Sequence, residues 1–313
     1  MPAGTVTLEM TLEGPAAPEP VEPPEPESEP DDEPDDGKAS PATLQRAGYA
    51  DEVNARLAPL EERAHKVFSG YLRRYEAAQT KRLTAFAQNG KAALARDTRE
   101  FPEDLTGLDI EALLLDPDEW ADKLITAASP VIHASFEAAV LDMVEEFGFT
   151  LVSAESPEVL AALETQTINL AQDVNGTLAK RVRRELLEAL QDLDGANINT
   201  LQDAIADALP KLRGSLKRAF GDRDARALAI ARTETNRATN AARHESMVAN
   251  GVEKHEWWSS RDSHVRSSHV ELDGQIRAIG EEFKPGLKFP LDPDAPAGEV
   301  INCRCKARPV IED

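Results

Sequence analysis

Apolar side chains recur at steps of three and four from Thr43 to about Arg96, which is the spacing of one face of an α-helix. The pattern predicts a long amphipathic helix, broken at most once. A second helix is predicted from Pro117 to Glu146, because Asp116 can cap its first turn and Gly148 can end it in a left-handed conformation.

Three further helices follow from the same periodicity. Ser156 is placed to cap a helix that runs to about Leu193, and a short helix is expected from Thr200 to near Pro210. A last helix is predicted from an Asp222 cap to Gly251. Its small residues form one narrow face on which a neighbouring backbone can pack closely: Leu228, Ala231, Thr235, Ala238, Ala242 and Ala249.

After Gly251 short runs of aromatic and β-branched residues alternate with Gly and Pro, which indicates a compact mixed unit with short strands. In a strand, neighbouring Trp257 and Trp258 would point to opposite faces, so that one ring is either exposed for a partner or buried beneath the helices. The predicted fold class is α+β, with mainly long helices followed by a small C-terminal module. We predict a helical region at 42–221 and the module at 222–313.

Residues 1–41 form a proline-rich acidic segment that cannot bury enough apolar surface to fold by itself. It contains ten of the 21 prolines, and residues 1–37 carry twelve carboxylates with no Lys or Arg. More than half of the formal net charge of −22 therefore lies in this segment, which we predict to be a disordered tail or linker. The rest of the chain has a composition typical of a folded protein, since the whole is 41% hydrophobic and 29% charged.

The sequence contains no run of about 18 apolar residues and no basic start followed by an apolar segment, so we expect neither a membrane span nor a secretory signal. We therefore expect a soluble protein that is made in the cytosol. Cys303 and Cys305, the two cysteines, are separated by one residue, and a disulfide between them would be strained. We expect a reduced pair.

Four runs in the C-terminal third have a characteristic order and spacing: ARTETNRATN from Ala231, KHEWWSSRDSHVR from Lys254, HVELDG from His269 and PAGEVINCRC from Pro296. Together they resemble the phage Mu F-like head morphogenesis family, in which an Ala-Arg-Thr-Glu helix, a Trp-bearing strand, a His-containing turn and a terminal Cys-Arg-Cys follow one another. The resemblance covers about a quarter of the chain. The residues that match the family motif are Arg232, Thr233, Glu234, Asn240, Trp257, Asp262, Arg266, His269, Asp273, Gly274, Gly298, Glu299, Asn302, Cys303 and Cys305.

The resemblance implies a minor head protein of a tailed bacteriophage, located in the capsid interior or at the portal vertex. Such a protein acts in head morphogenesis and, in some phages, in DNA ejection, and its expected partners are the portal protein and capsid or scaffold proteins. The resemblance implies a structural virion component and not an enzyme, and we expect no obligatory cofactor.

His269, Cys303 and Cys305 offer ligand types that zinc prefers, and His264 or Asp273 would complete a tetrahedral set. A structural zinc site is one interpretation of these residues. The alternative is that both cysteines are reduced and pack in the core of the module.

The residues Glu234, Asp262, Arg266, His269 and Asp273 also include the acids, imidazole and guanidinium from which a metal-dependent nuclease or an injected effector can be built. The alternative is a network of ion pairs, in which Arg266 would bind Asp262 or Glu234. The spacing matches no nuclease or hydrolase signature known to us, so the structural interpretation is preferred.

Local basic clusters could contact packaged DNA, although a strongly acidic chain does not coat a duplex. The basic residues are Lys180, Arg181, Arg183, Arg184, Lys211, Arg213, Lys217, Arg218, Arg223 and Arg226, and solvated helix faces are the simpler interpretation. Asn236 and Asn240 are expected to bond to a strand and turn beside the last helix. His65, His133, His244 and His255 match no motif and are predicted to lie on the surface or on helix faces.

Overall fold

The structure is a computed structural model in which four long helices precede a small sheet. It describes residues 41–89, 113–191 and 220–311, together with most positions of 206–217. The helices are α1 (Pro41–Asn89), α2 (Pro117–Phe147), α3 (Pro157–Gln191) and α4 (Arg223–Ala249). The predicted tail up to Ser40 and the predicted end of the first helix near Arg96 lie outside the described residues. The predicted α+β class is confirmed, while the division at residue 222 stays a prediction.

Local capping signals define the ends of α2 as predicted. The Asp116 side chain accepts hydrogen bonds from the backbone N–H groups of Asp118 and Glu119 at 2.9 and 3.0 Å, and Gly148 adopts the left-handed conformation at φ 67°. The Ser156 hydroxyl likewise accepts from the Val159 N–H at 3.3 Å at the start of α3.

The prediction that a short helix ends near Pro210 is wrong. The described residues 211, 213, 214, 216 and 217 beyond the proline are still helical. Leu216 is buried in the helical core, and this packing favours continuation of the helix despite the proline.

α2 lies at the centre of the helical part, since it packs against α1, α3 and α4. An aromatic cluster joins the first three helices: Tyr71 and Tyr75 of α1 meet the Trp120 ring edge-on, with centroids 5.7 and 4.9 Å away. The Tyr71 hydroxyl donates to the Trp120 carbonyl oxygen at 3.0 Å and also contacts Asn175 of α3. These buried contacts fix how α1, α2 and α3 meet.

Among the described helices, α2 has the length and composition that a membrane-crossing helix would need, and 44% of its most apolar window is buried inside the protein. The sequence prediction did not anticipate this property. Buried core helices of globular proteins share it, and ten residues of α2 are buried in contact with the rest of the chain.

The small-residue face of α4 packs closely, as predicted, over its central part. Ala231, Ala238 and Ala242 are completely buried, and α4 contacts both α1 and α2. The two ends of the predicted face are wrong, because Leu228 and Ala249 are exposed. Burial begins instead one residue earlier, at Ala227, which is the position that a four-residue step back from Ala231 requires.

The C-terminal module contains β1 (Lys254–Trp258), α5 (Ser267–Val270), β2 (Ile276–Ala278), α6 (Ala297–Val300) and β3 (Lys306–Val310). The sheet has the order β2-β1-β3, and both pairings are antiparallel. β3 also packs against α4, so the sheet is attached to the helical part through this strand.

Both tryptophans of the central strand are buried, which decides between the two predicted alternatives. Trp257 packs in the core of the module, while the Trp258 ring lies under the Arg308 guanidinium at 4.7 Å. Each face of β1 is therefore covered, and neither ring is available to a partner.

Candidate metal centre

His269, Cys303 and Cys305 come together in the core of the C-terminal module. The short helix α5 carries His269, and the connection from α6 to β3 carries the two cysteines, both of which are free thiols. The exposed fractions of these residues are only 1%, 2% and 2%. Trp257 packs edge-on against the imidazole, with ring centroids 5.1 Å apart.

The potential ligand atoms of these residues all lie within 4.8 Å of one another. The Nδ1 atom of His269 is 3.5 Å from the Cys303 sulfur and 3.6 Å from the Cys305 sulfur. The other ring nitrogen, Nε2, lies 2.8 Å from a carboxylate oxygen of Glu299. One side of the imidazole therefore faces two sulfurs and the other faces an acid.

Glu299 is itself held in place by two further side chains. Lys284 Nζ binds one of its oxygens at 2.9 Å, and the Ser268 hydroxyl donates to the other at 3.1 Å. The hydrogen bond from Lys284 is the largest of the effects that lower the pKa of this carboxyl group. An ionised Glu299 only accepts hydrogen bonds, so the hydrogen of the neutral imidazole belongs on Nε2 and the lone pair on Nδ1 faces the sulfurs.

The two thiols differ in acidity because they interact with each other. A hydrogen bond from Cys305 lowers the pKa of Cys303 well below its ordinary value, although burial acts in the opposite direction. Donation of that hydrogen bond and burial raise the pKa of Cys305. Such a pair favours a thiolate on Cys303, and thiolates are the form in which cysteine binds metals.

The two residues predicted to complete the set lie elsewhere. The side chain of His264 is 79% exposed and its Nδ1 atom is 3.6 Å from Asp262, while Asp273 accepts from the Ser259 N–H at 3.0 Å and pairs with Arg261. Neither belongs to the group of potential ligands that the described residues form.

The acids predicted for a catalytic site are distributed over separate ion pairs. Arg304 binds Asp262 at 2.6 Å, and Arg237 binds Glu234 at 2.9 Å. Burial raises the pKa of the Glu234 carboxyl group, while Arg237 opposes that rise.

The predicted pairing of Arg266 with Asp262 or Glu234 is wrong. Its guanidinium donates instead to the Ile301 carbonyl oxygen. Arginines that lie closer to each acid, Arg304 and Arg237, take the two carboxylates.

A row of buried polar side chains on α4 holds the cysteine turn and β3. Asn240 donates to the Cys305 carbonyl oxygen at 3.0 Å and accepts from the Ala307 N–H at 3.1 Å, while Asn236 contacts Lys306. The predicted contacts of both asparagines with a strand and turn are therefore confirmed.

The remaining motif residues occupy structural positions. Thr233 accepts from the Asn302 N–H at 3.0 Å, and Arg232 Nε is 3.6 Å from a carboxylate oxygen of Glu61. Gly274 has φ 81°, a conformation that favours glycine, and its N–H donates to the Trp257 carbonyl oxygen at 2.8 Å. Gly298 lies inside α6.

The prediction that His255 lies on the surface is wrong. It is completely buried, and neither ring nitrogen has a hydrogen-bond partner among the described residues. Burial lowers its pKa to about 4, with neighbouring His244 acting in the same direction. Strand alternation could have indicated this position, because residues 255 and 257 share a face and both rings pack near Phe283, at 5.1 and 5.3 Å.

Sequence reasoning also missed two buried cations. Lys306 and Arg243 are 3% and 0% exposed, and burial lowers the pKa of Lys306 to about 7. Arg243 donates to the Ala307 carbonyl oxygen at 2.8 Å. No periodic or motif signal in the sequence marked either residue as buried.

These features define a class: a helical protein with a small C-terminal α+β module built around a buried His-Cys-Cys group. Residues 180–308 match the family described as Phage Mu protein F like protein, so this segment of 129 residues is similar to that family.

Three curated relatives share parts of their length with the chain. An uncharacterized protein from Bacillus subtilis, YqbB, is 37% identical over 95 residues, which cover 28% of this chain and 31% of the relative. An uncharacterized protein from Haemophilus influenzae is 33% identical over 138 residues, covering 41% and 28%.

The third relative, from Enterococcus faecalis, is named NAD(+)--arginine ADP-ribosyltransferase EFV and is 35% identical over 92 residues, covering 28% of the chain and 19% of that protein. The matched segments thus span less than a third of each of these relatives. No solved structure matches the chain.

Proposed function

We propose that the chain is a minor head protein that acts structurally in the capsid interior or at the portal vertex, in head morphogenesis and DNA ejection. The observation that carries the proposal is the family match over residues 180–308. The expected partners are the portal protein and capsid or scaffold proteins, and no membrane is involved.

The contacts of the motif residues support a structural role. Several residues of the four runs that resemble the family bond to one another: Asn240 to Cys305, Asp262 to Arg304 and Asp273 to Ser259. Polar groups that are satisfied in this way hold a module in one shape. The same acids and bases would have to converge on a substrate if the site were catalytic.

The virion role is tested in the phage or prophage that encodes the chain. We expect quantitative mass spectrometry to detect the protein at low copy number in purified particles, and deletion of its gene to lower the infectious titre. Complementation with the wild-type gene is the control. Absence from purified particles, together with a normal titre after deletion, would refute the proposal.

The alternative function is an enzyme, either a metal-dependent nuclease or an injected effector. The name of the Enterococcus faecalis relative denotes an enzyme, but the match covers 19% of that protein. Asp262→Asn and Glu234→Gln, each introduced separately, remove candidate catalytic acids, and Asp122→Asn on the surface of α2 is a matched control. We expect each of the three variants to restore infectivity to a phage from which the gene is deleted. Loss of infectivity only with Asp262→Asn or Glu234→Gln, at normal incorporation of the protein into particles, would favour the enzyme.

Contact with packaged DNA is a further part of the proposal, limited to local basic residues. Some of these already have protein partners: Arg223 pairs with Glu76, and Arg184 Nε lies 3.8 Å from Glu188. Phosphate binding predicts that DNA affinity falls steeply between 50 and 200 mM salt, by roughly 10³-fold or more for six or more phosphate contacts. Affinity that is absent or independent of salt would remove DNA contact from the proposal.

A further inference from the structure

We propose that His269, Cys303 and Cys305 bind one Zn²⁺ ion through Nδ1 and the two sulfur atoms, and that this ion stabilises the C-terminal module. The inference concerns the stability of the module, so it does not depend on the proposed role in the virion. It rests on the ligand types, on their separations and on the groups that orient the imidazole.

The ligand types select a soft or borderline metal. Two thiolates and an imidazole suit zinc, whereas Mg²⁺ and Ca²⁺ prefer oxygen ligands. All three residues are buried, and they come from two separate parts of the module, α5 and the turn before β3. One ion would therefore cross-link these two segments.

The separations of the atoms fit tetrahedral coordination. Bond lengths of about 2.3 Å for Zn–S and about 2.0–2.1 Å for Zn–N place a sulfur and a nitrogen ligand about 3.6 Å apart. The two observed distances from Nδ1 to the sulfurs are 3.5 and 3.6 Å.

The surroundings of His269 match those of zinc-binding histidines. Metal-ligating histidines almost always donate their other ring N–H to a carboxylate, a carbonyl or water. Glu299 occupies this position at 2.8 Å from Nε2, and Lys284 and Ser268 hold the carboxylate in place. The imidazole is thus oriented, and its Nδ1 lone pair presented to the sulfurs, by groups outside the ligand set.

The described residues supply three ligands, and a water molecule would complete a tetrahedron. The ion would also act on the rest of the protein. Asn240 of α4 binds the Cys305 carbonyl oxygen, so a metal that fixes this turn also fixes the place where the module meets α4.

The test is elemental mass spectrometry on untagged, full-length protein purified under reducing conditions. We expect one zinc per chain in the wild type and none in the Cys303→Ser/Cys305→Ser double variant. Leu287→Ala is the matched control, because Leu287 is buried in the same cluster but offers no ligand atom. It should lose stability and retain the metal.

Two further measurements keep the test decisive if the double variant does not fold. Wild-type protein stripped of metal and loaded with Co²⁺ should develop thiolate-to-cobalt charge-transfer absorption and the intense visible bands of tetrahedral cobalt. Glu299→Gln should keep one zinc per chain but weaken its affinity about 10- to 100-fold, as loss of an orienting group does.

The proposal is overturned if reduced wild-type protein holds no zinc even after incubation with Zn²⁺. It is also overturned if zinc persists in a folded double variant, or if the cobalt protein lacks thiolate bands. Zinc that disappears equally from Leu287→Ala and from the cysteine variant would trace metal binding to general folding and reject these three residues as the specific ligands.

Discussion

Replacement of His255 by Leu should make the protein less sensitive to acid. His255 is completely buried in the central strand of the sheet, beside Phe283 and His244, and its ring nitrogens find no partner among the described residues. A charged imidazole in this position would lose its hydration without gaining a hydrogen bond. Leu has a similar volume and no charge to bury.

The direction of the effect follows from the pKa, which burial lowers from 6.5 to about 4 in the folded protein. As the pH falls below 6.5, His255 of the unfolded chain binds a proton while His255 of the folded chain does not. The free energy of unfolding therefore decreases between pH 6.5 and about 4. At 1.36 kcal/mol per pKa unit, the loss is about 2 kcal/mol at pH 5 and approaches about 3 kcal/mol below pH 4.

Urea denaturation of the wild type and of His255→Leu at pH 7.5, 6 and 5 measures this difference. Both proteins keep all other titrating groups, so subtracting the two pH profiles isolates His255. We expect the wild type to lose about 2 kcal/mol more than the variant between pH 7.5 and 5. His264→Gln, at a position where the side chain is 79% exposed, is the control and should follow the wild type. Parallel profiles for the wild type and His255→Leu would refute the argument.

Three other predictions concern the stability of the folded protein, each measured as the free energy of unfolding in urea. Gly148→Ala should cost about 1 kcal/mol, because Gly148 has φ 67°. Gly176→Ala, inside α3 with open space around the added methyl group, should instead gain about 0.5–1 kcal/mol. A change of stability in the same direction for both variants would contradict the reasoning. Asn240→Ala should cost about 3 kcal/mol, since it leaves the Cys305 carbonyl and the Ala307 N–H without their buried partner, and a loss under about 1 kcal/mol would argue against these bonds. Tyr71→Phe should cost about 1–2 kcal/mol through its lost hydroxyl contacts; an unchanged midpoint would count against them.

Helix ends and fold class could be predicted from the sequence because they depend on local chemistry. Asp116 can cap α2 and Gly148 can end it whatever lies nearby, and the structure has both contacts. Pro210 shows the limit of this reasoning. A proline weakens a helix locally, but the burial of Leu216 beyond it is a tertiary effect that no short window contains.

The partners of charged and aromatic side chains could not be predicted, because they depend on which loops meet. Arg266 had the right charge for Asp262, yet Arg304 reaches that carboxylate from the connection before β3. Trp258 would have been exposed if one face of the sheet were open to solvent. The Arg308 guanidinium on the neighbouring strand covers the Trp258 ring. The alternation of side chains along β1 does not indicate which strand lies beside it.

The residue types in the sequence indicated candidate metal ligands, but only some of the predicted ligands come together in the structure. His269, Cys303 and Cys305 do converge, whereas His264 and Asp273 do not. Glu299 was recognised as a motif residue without a role, and its contact with Nε2 of His269 supplies one.

The burial of the motif residues also bears on where partners bind. Asn240, His269 and Cys303 are at most 2% exposed, so they cannot contact another protein directly while the module is folded. These buried positions of the signature therefore describe how the module is held together, and any protein partner would have to contact exposed residues. The chain up to residue 179, which contains α1, α2 and most of α3, lies before the matched segment. We expect substitutions on the exposed faces of these helices to change partner binding without changing the stability of the module, and substitutions in the four runs to do the reverse.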